Sequence, residues 1–269
     1  MKKLIALILA LVMVMGLVAC AASNDTNKDE QPGNDAAFTT VEAGKLIMAT
    51  NAAFPPYEYL EGQEIVGIDA EIAKAIAEKL GLELVIDDME FDSIIESVKG
   101  GKADIGLAGM TVTPDRQEEV NFTETYATGV QVIIVTEDSA ITSVDDLFAE
   151  GAATKIGVQR NTTGDLYTTW DLEDEVLATI DRYSKGADAV QALTTGKVDC
   201  VVIDNEPAKA FVQAVEGLKI LETEYVTEDY AAAMNKNNAE LYEAVNNALK
   251  ELIADGTVKG IIDKYIPAE

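Results

Sequence analysis

Arg116 closes the run Ala108-Gly109-Met110-Thr111-Val112-Thr113-Pro114-Asp115-Arg116, the stretch of this chain best equipped for chemistry. A guanidinium is a rigid fork of N–H donors that meets a carboxylate through two parallel hydrogen bonds. With Thr111 beside it, the run reads as a loop that grips a small carboxylate. On residues alone a second reading stands, in which Arg116 is a solvated helix residue paired with Glu119. The other telling run is Leu17-Val18-Ala19-Cys20. There a small residue precedes a cysteine at the end of an apolar stretch.

Composition removes several kinds of chemistry. The 269 residues include no histidine, which excludes histidine triads, histidine general bases and histidine metal sites. Cys20 and Cys200 are its two cysteines. If Cys20 is modified, no internal disulfide remains. Cys200, in the apolar run Val198–Ile203, reads as a small buried hydrophobe. No metal and no cofactor is expected. The net charge of −28 argues against nucleic acid or an anionic bilayer face as a direct partner.

Lys2 and Lys3 precede an apolar run from Leu4 to Val18, the pattern of a secretory leader. A spanning helix needs about 20 apolar residues, so a true span fits less well. Residues 1–19 are therefore expected to be a signal peptide. Residues 20–40, polar and poor in bulky apolar groups, are expected to be a disordered tether. An ordinary signal peptide with an incidental cysteine is the alternative.

The remainder alternates strands and helices. Lys45–Thr50 reads as a strand. Ile68, Ile72, Ile76 and Leu80, with Ala73 and Ala77, line one helical face that Gly81 ends. Leu82–Ile86 reads as a strand, Asp92–Lys99 as a helix stopped by Gly100-Gly101, and Ala103–Ala108 as a third strand. Pro114 suits the first turn of a helix capped by Thr113. The order then restarts. Lys45–Asn51 is matched to Lys155–Asn161, and Gly101-Lys102-Ala103-Asp104 to Gly196-Lys197-Val198-Asp199. This predicts two α/β lobes, each with a mostly parallel sheet covered by helices. Ligands of open α/β sheets bind at the carboxyl ends of the strands. Four such ends, Asn51–Phe54, Ala108–Thr111, Asn161–Thr163 and Ile203–Asn205, converge on one cleft if the lobes face each other.

From about Val41 to Tyr265 the chain resembles the family 3 extracellular solute-binding proteins, the polar amino-acid receptors of ABC importers. The likeness rests on an ordered set: Asn51-Ala52-Ala53-Phe54-Pro55-Pro56-Tyr57-Glu58, Ile65–Asp69, Met89–Ser93, Ala108–Arg116, Gly157-Val158-Gln159, Thr162-Thr163-Gly164 and Val201–Asn205. It implies a two-lobe periplasmic-binding-protein-like fold of type II joined by two crossing hinge strands, near Thr128–Gln131 and Tyr225–Tyr230. Lobe 1 would be 41–130 plus 226–269, and lobe 2 would be 131–225.

The resemblance also assigns roles. Arg116 would take the ligand carboxylate, with backbone N–H groups of Thr111 and Thr163. Asp204 would pair with the ammonium, helped by the Gly109 carbonyl and the Thr111 hydroxyl. Phe54 and Phe91 would wall the side chain. Asn51, Ala108 and Gln159 complete the expected site, with Tyr57 and Glu58 near the cleft as loop braces. Asp204 could instead cap the next helix, and the two phenylalanines could be plain core. Asn51 stands where receptors for cationic ligands are often acidic, so the ligand expected is a neutral polar amino acid. Arg160 would alter this if it pointed inward, and Asn161, where glycine is common, needs a left-handed backbone. Leu17-Val18-Ala19-Cys20 resembles the bacterial lipobox, which implies lipidation of Cys20 and tethering to the outer side of the cell membrane. The family resemblance further implies a permease partner, a monomeric receptor and no enzymatic activity. Two other classes fit the fold: a cyclohexadienyl-dehydratase-like enzyme and a ligand-sensing domain.

Overall fold

The computed structural model describes residues 38–149, 151, 153–221 and 224–267. The expected leader, Cys20 and most of the tether lie outside the described residues. Phe38 already packs on the core, and the Thr39 carbonyl accepts a hydrogen bond from Asn238. Among the described residues, contacts with the core are thus already made just before the expected boundary at residue 41.

β1 (Lys45–Thr50) is the expected first strand and is buried beyond its first residue. A small antiparallel sheet follows, β2 (Ala53–Phe54), β3 (Glu58–Glu61) and β4 (Glu64–Val66), which the sequence reading did not anticipate. α1 (Ile68–Leu80) buries Ile68, Ile72 and Ile76, each worth roughly 1.5–3 kcal/mol of transfer free energy. It ends where Gly81 turns left-handed and its N–H meets the Ala77 and Glu78 carbonyls. β5 (Glu83–Asp88), a 3-10 turn at Phe91–Ser93 and α2 (Ile94–Lys99) lead to β6 (Ile105–Gly106). The third strand is thus shorter than the expected Ala103–Ala108. Beyond Leu107 the chain turns away at Gly109, φ 51°, and leaves the ladder. α3 (Pro114–Glu119) has the expected cap, the Thr113 hydroxyl accepting from the Arg116 N–H at 3.2 Å.

β7 (Asn121–Thr136) is the longest strand described, with 16 residues. β8 (Thr154–Gln159), α4 (Thr163–Thr168), a π-helical turn at Thr169–Glu173, β9 (Ala178–Tyr183), α5 (Gly186–Thr194) and β10 (Cys200–Asp204) come next. α6 (Asn205–Ala214), β11 (Leu218–Ile220), β12 (Val226–Met234), α7 (Ala239–Ala254) and α8 (Thr257–Tyr265) finish the chain.

The main sheet runs β5-β1-β6-β12-β7-β10-β8-β9, with β11 also on β7. β5, β1 and β6 are parallel, as are β9, β8 and β10. Each trio meets one antiparallel strand, β12 beside β6 and β7 beside β10. This is the two-lobe α/β plan. β7 and β12 cross between the trios as an antiparallel pair running from Met234↔Asn121 to Val226↔Gln131. At Gln131, β7 also pairs with Asp204 of β10.

The repeat is real in plan, and Asp104 corresponds to Asp199 as matched, but the match of Lys45–Asn51 to Lys155–Asn161 is out by two. Met48 pairs with Ile105, and Ile156 with Cys200. The Asp104 carboxylate accepts the Ile47 N–H, and the Asp199 carboxylate accepts the Lys155 N–H, both at 2.8 Å. Asn51 therefore corresponds to Gln159, not to Asn161. A shift of two keeps every side chain on its own face, so hydrophobic alternation cannot detect it.

Gly67 joins β4 to α1 at φ 126°, and a Cβ there would sit 2.3 Å from the Tyr57 carbonyl oxygen. Gly67→Ala is expected to cost roughly 2–4 kcal/mol of stability through strain and backbone clash. Urea unfolding checks this as a lower midpoint at unchanged slope.

Candidate functional site

The carboxyl ends of strands from both trios meet at one narrow, largely enclosed cavity. Asn51 follows β1, Ala108, Gly109 and Thr111 follow β6, and Phe91 follows β5 through the 3-10 turn. Gln159 ends β8, Thr163 opens α4 and Asp204 ends β10. Arg116 comes from α3 and Phe54 from β2. All ten expected residues line the cavity, together with Glu58 and Thr162.

Bonds cross the cavity between the two trios. Gln159 Nε2 donates to Asn51 Oδ1 at 3.0 Å. The Thr111 and Thr163 hydroxyls lie 3.5 Å apart. Arg116 donates through Nη1 to the Thr111 carbonyl and through Nη2 to the Asn161 carbonyl, each at 2.8 Å. Its guanidinium stands 5.4 Å from the Phe91 ring centre. Arg116 is buried, and Glu119 pairs with Lys99 instead, so the solvated reading of Arg116 fails. Burial lowers the Arg116 pKa to about 10, which leaves it charged at neutral pH.

Local structure fixes these groups. Asn161 adopts φ 63°, the left-handed turn its position requires. The Asp165 carboxylate holds the Asn161 N–H at 2.9 Å and is itself held by Arg182 Nε at 2.8 Å. Thr162 caps α4 through the Asp165 N–H. Arg160 points to the rim, where it meets Asp92 at 3.4 Å, and brings no charge into the cavity. Asp204 precedes α6 but makes no side-chain cap. Its carboxylate accepts Gln131 Nε2 at 2.8 Å and the Tyr230 hydroxyl.

Sequence reasoning missed Gln131 and Glu228. Gln131 Nε2 also donates to Glu228 Oε2 at 3.1 Å, which accepts the Thr111 hydroxyl at 3.1 Å as well. Gln131, Asp204 and Glu228 are all buried. Burial first, then mutual repulsion, pushes the Asp204 pKa well above the usual carboxylate range. Burial likewise raises Glu228, against the pull of the hydroxyls, the amide and Arg116. The available signal was polarity out of place: Gln131 sits in the apolar run Val130–Val135.

A family model for bacterial extracellular solute-binding proteins, family 3, matches residues 46–268. The chain belongs to this family. Among curated relatives, the arginine-binding extracellular protein ArtP of Bacillus subtilis strain 168 is 30% identical over 272 residues, covering 100% of both chains. An ancestral arginine-binding protein solved with arginine superposes with a TM-score of 0.77 at 36% identity, over 83% of this chain and 98% of that one. Its counterpart solved with glutamine gives 0.77 at 35%, over 84% and 100%. The family 3 frame accounts for the crossing strands and for a cavity between two parallel trios.

The acid pair at Gln131 carries a cost that depends on pH. A carboxyl whose folded pKa is raised stabilises the fold fully below its unfolded pKa, and that contribution is lost as pH climbs through the folded value. Glu228→Gln is therefore expected to stabilise the unliganded protein by roughly 1 kcal/mol at pH 8 and to change little at pH 4. Denaturant unfolding at the two pH values reads the difference.

Proposed function

We propose that this chain is an extracytoplasmic receptor that captures a polar amino acid by lobe closure and hands it to the permease of an ABC importer. One observation carries the reading: a buried guanidinium on α3 and a buried carboxylate at the end of β10 line the same cavity. A zwitterion presents the opposite charges, and burying either unpaired costs several kcal/mol. Arg116 takes the carboxylate, with N–H groups of Thr111 and of Thr163 at the start of α4. Asp204 takes the ammonium, with the Gly109 carbonyl and the Thr111 hydroxyl. Phe54 and Phe91 flank the side chain.

The far end of the cavity sets the side-chain class. Asn51 spends its amide on the Met89 carbonyl at 2.7 Å, and Gln159 spends its own on Asn51 and on the Ser184 carbonyl at 3.2 Å. Gln159 Oε1 then remains as an acceptor, in the amide orientation that satisfies this network. This favours side chains that carry N–H donors. Glutamine fits without added charge, and arginine fits through the aromatic walls and the surplus acid at Asp204 and Glu228.

The lobes divide as 41–130 plus 226–269 and 131–225, since β7 changes partners at Gln131. Closure bends the β7–β12 pair there, a hinge motion of the kind periplasmic binding proteins show. Cys20 carries lipid that tethers a monomeric receptor to the outer face of the cell membrane. A transport role without turnover is preferred, because Asp204 already has binding partners and Glu58 is sealed from solvent. No helix among the described residues is long and apolar enough to cross a membrane, which disfavours a membrane-spanning sensor built on them.

Arg116→Ala is expected to weaken every amino-acid ligand by about 100-fold or more, without reordering them, since it removes recognition of the shared backbone. Titration calorimetry decides it, and parental affinity in that variant would discard the site. Asn51→Asp is expected to move preference toward arginine over glutamine by about tenfold, read by the same titrations.

A further inference from the structure

Glu58 on β3 lines the cavity floor, is fully buried, and neither carboxyl oxygen meets a hydrogen-bond donor among the described residues. Asp69 on α1 is equally buried. Its Oδ2 accepts the Gly109 N–H at 2.7 Å and the Tyr126 hydroxyl at 2.9 Å, while its Oδ1 is idle. The two carboxyls lie within hydrogen-bonding reach of each other. As two carboxylates they repel, and each leaves lone pairs unanswered in a dry interior. One proton answers both problems.

The geometry points to a neutral Glu58 that donates its O–H to Asp69 Oδ1, so that the ionised Asp69 pins the Gly109 loop in its binding shape. Asp69 keeps the charge because two donors already serve it. Glu58 keeps the proton because none serves it. The charged groups around Glu58 are acids, Asp69 from α1, Asp204 from the end of β10 and Asp88 from the end of β5, with Tyr57 and Tyr126 close by. Burial first, then these acids, raises its pKa. The pinned loop has little room to adjust, since a Cβ on Gly109 would lie 2.9 Å from the Phe54 ring. Glu58 thus acts through Asp69 on the carbonyl and hydroxyl proposed to hold the ligand ammonium. It is a positioning residue, and this role rests on the receptor reading above.

Glu58→Gln supplies an N–H to Asp69 in place of the O–H and cannot titrate. Unfolded Glu58 releases its proton near pH 4.5, whereas the folded group holds it to higher pH. Stability from this proton is whole below that value and drains as pH rises toward the folded one, by about tenfold in the unfolding constant per pH unit. Denaturant unfolding of the unliganded protein across pH is expected to show this slope in the parent and to show it reduced by one proton in Glu58→Gln. The infrared absorption of protonated carboxyls at neutral pH is expected to be weaker by one group in the variant than in the parent. Glu58→Gln should bind amino acids within about threefold of the parent and in the same order, while Glu58→Leu should lose about tenfold or more. An identical pH slope and an identical carboxyl band in parent and Glu58→Gln would overturn the proposal. So would a reordered ligand series in Glu58→Gln, which would make Glu58 a direct ligand contact. A parent that binds no amino acid overturns the receptor reading alone, because the slope and the band need no ligand.

Discussion

Gln131 sits where the long strand changes partners, and its amide must serve two buried carboxylates at once. Asp204 terminates a strand of one lobe, and Glu228 belongs to the strand that crosses beside β7. Like charges in a dry interior repel strongly, and one amide relieves only part of that. Arg116 supplies positive charge nearby, held between carbonyls of both trios. The proposed hinge is therefore also a place where buried charge is concentrated. On the proposed reading, an ammonium arriving at Asp204 eases the same repulsion that bending at Gln131 must manage. Binding and closure then share one set of atoms.

Much of this was legible in the chain because it was local. The helical face of α1, the Thr113 cap on Pro114, the left-handed Asn161 and the strand ends around Thr111 and Asp204 follow from neighbours a few residues apart. The hairpins of β2–β4 were not legible, because strands this short leave too few residues for a period to appear. Gln131 and Glu228 were missed for a different reason. They lie 97 residues apart and find each other only through strand pairing. In isolation Glu228 looks like a polar residue facing water, and Gln131 is marked only by the apolar run around it. The repeat was seen, but its register was set by matching lysines and asparagines. The match of Asp104 to Asp199 held, because their carboxylates tie each trio together through backbone N–H groups, and it alone sets the first strands in register.

The Glu58–Asp69 pair shows how an inherited motif can hide chemistry. In the sequence, Glu58 looks like a brace after two prolines. In the fold it shares the cavity floor with the segment that shapes the Gly109 turn, and an uncharged carboxyl is what such a place tolerates. On the proposed reading, the cavity is bounded by the charges of Arg116 and Asp204, which take the ligand, and by a charge at Glu58 that has been muted.

Cys200 lies at the start of β10, fully shielded, with burial driving its thiol away from the reactive anionic form. It is the free cysteine among the described residues. A thiol-alkylating reagent can reach it only when the apolar cluster it shares with Ile156, Val158 and Val202 opens. The protein thus carries a built-in clock, whose ticking measures how often the half of the sheet that ends at Asp204 breathes.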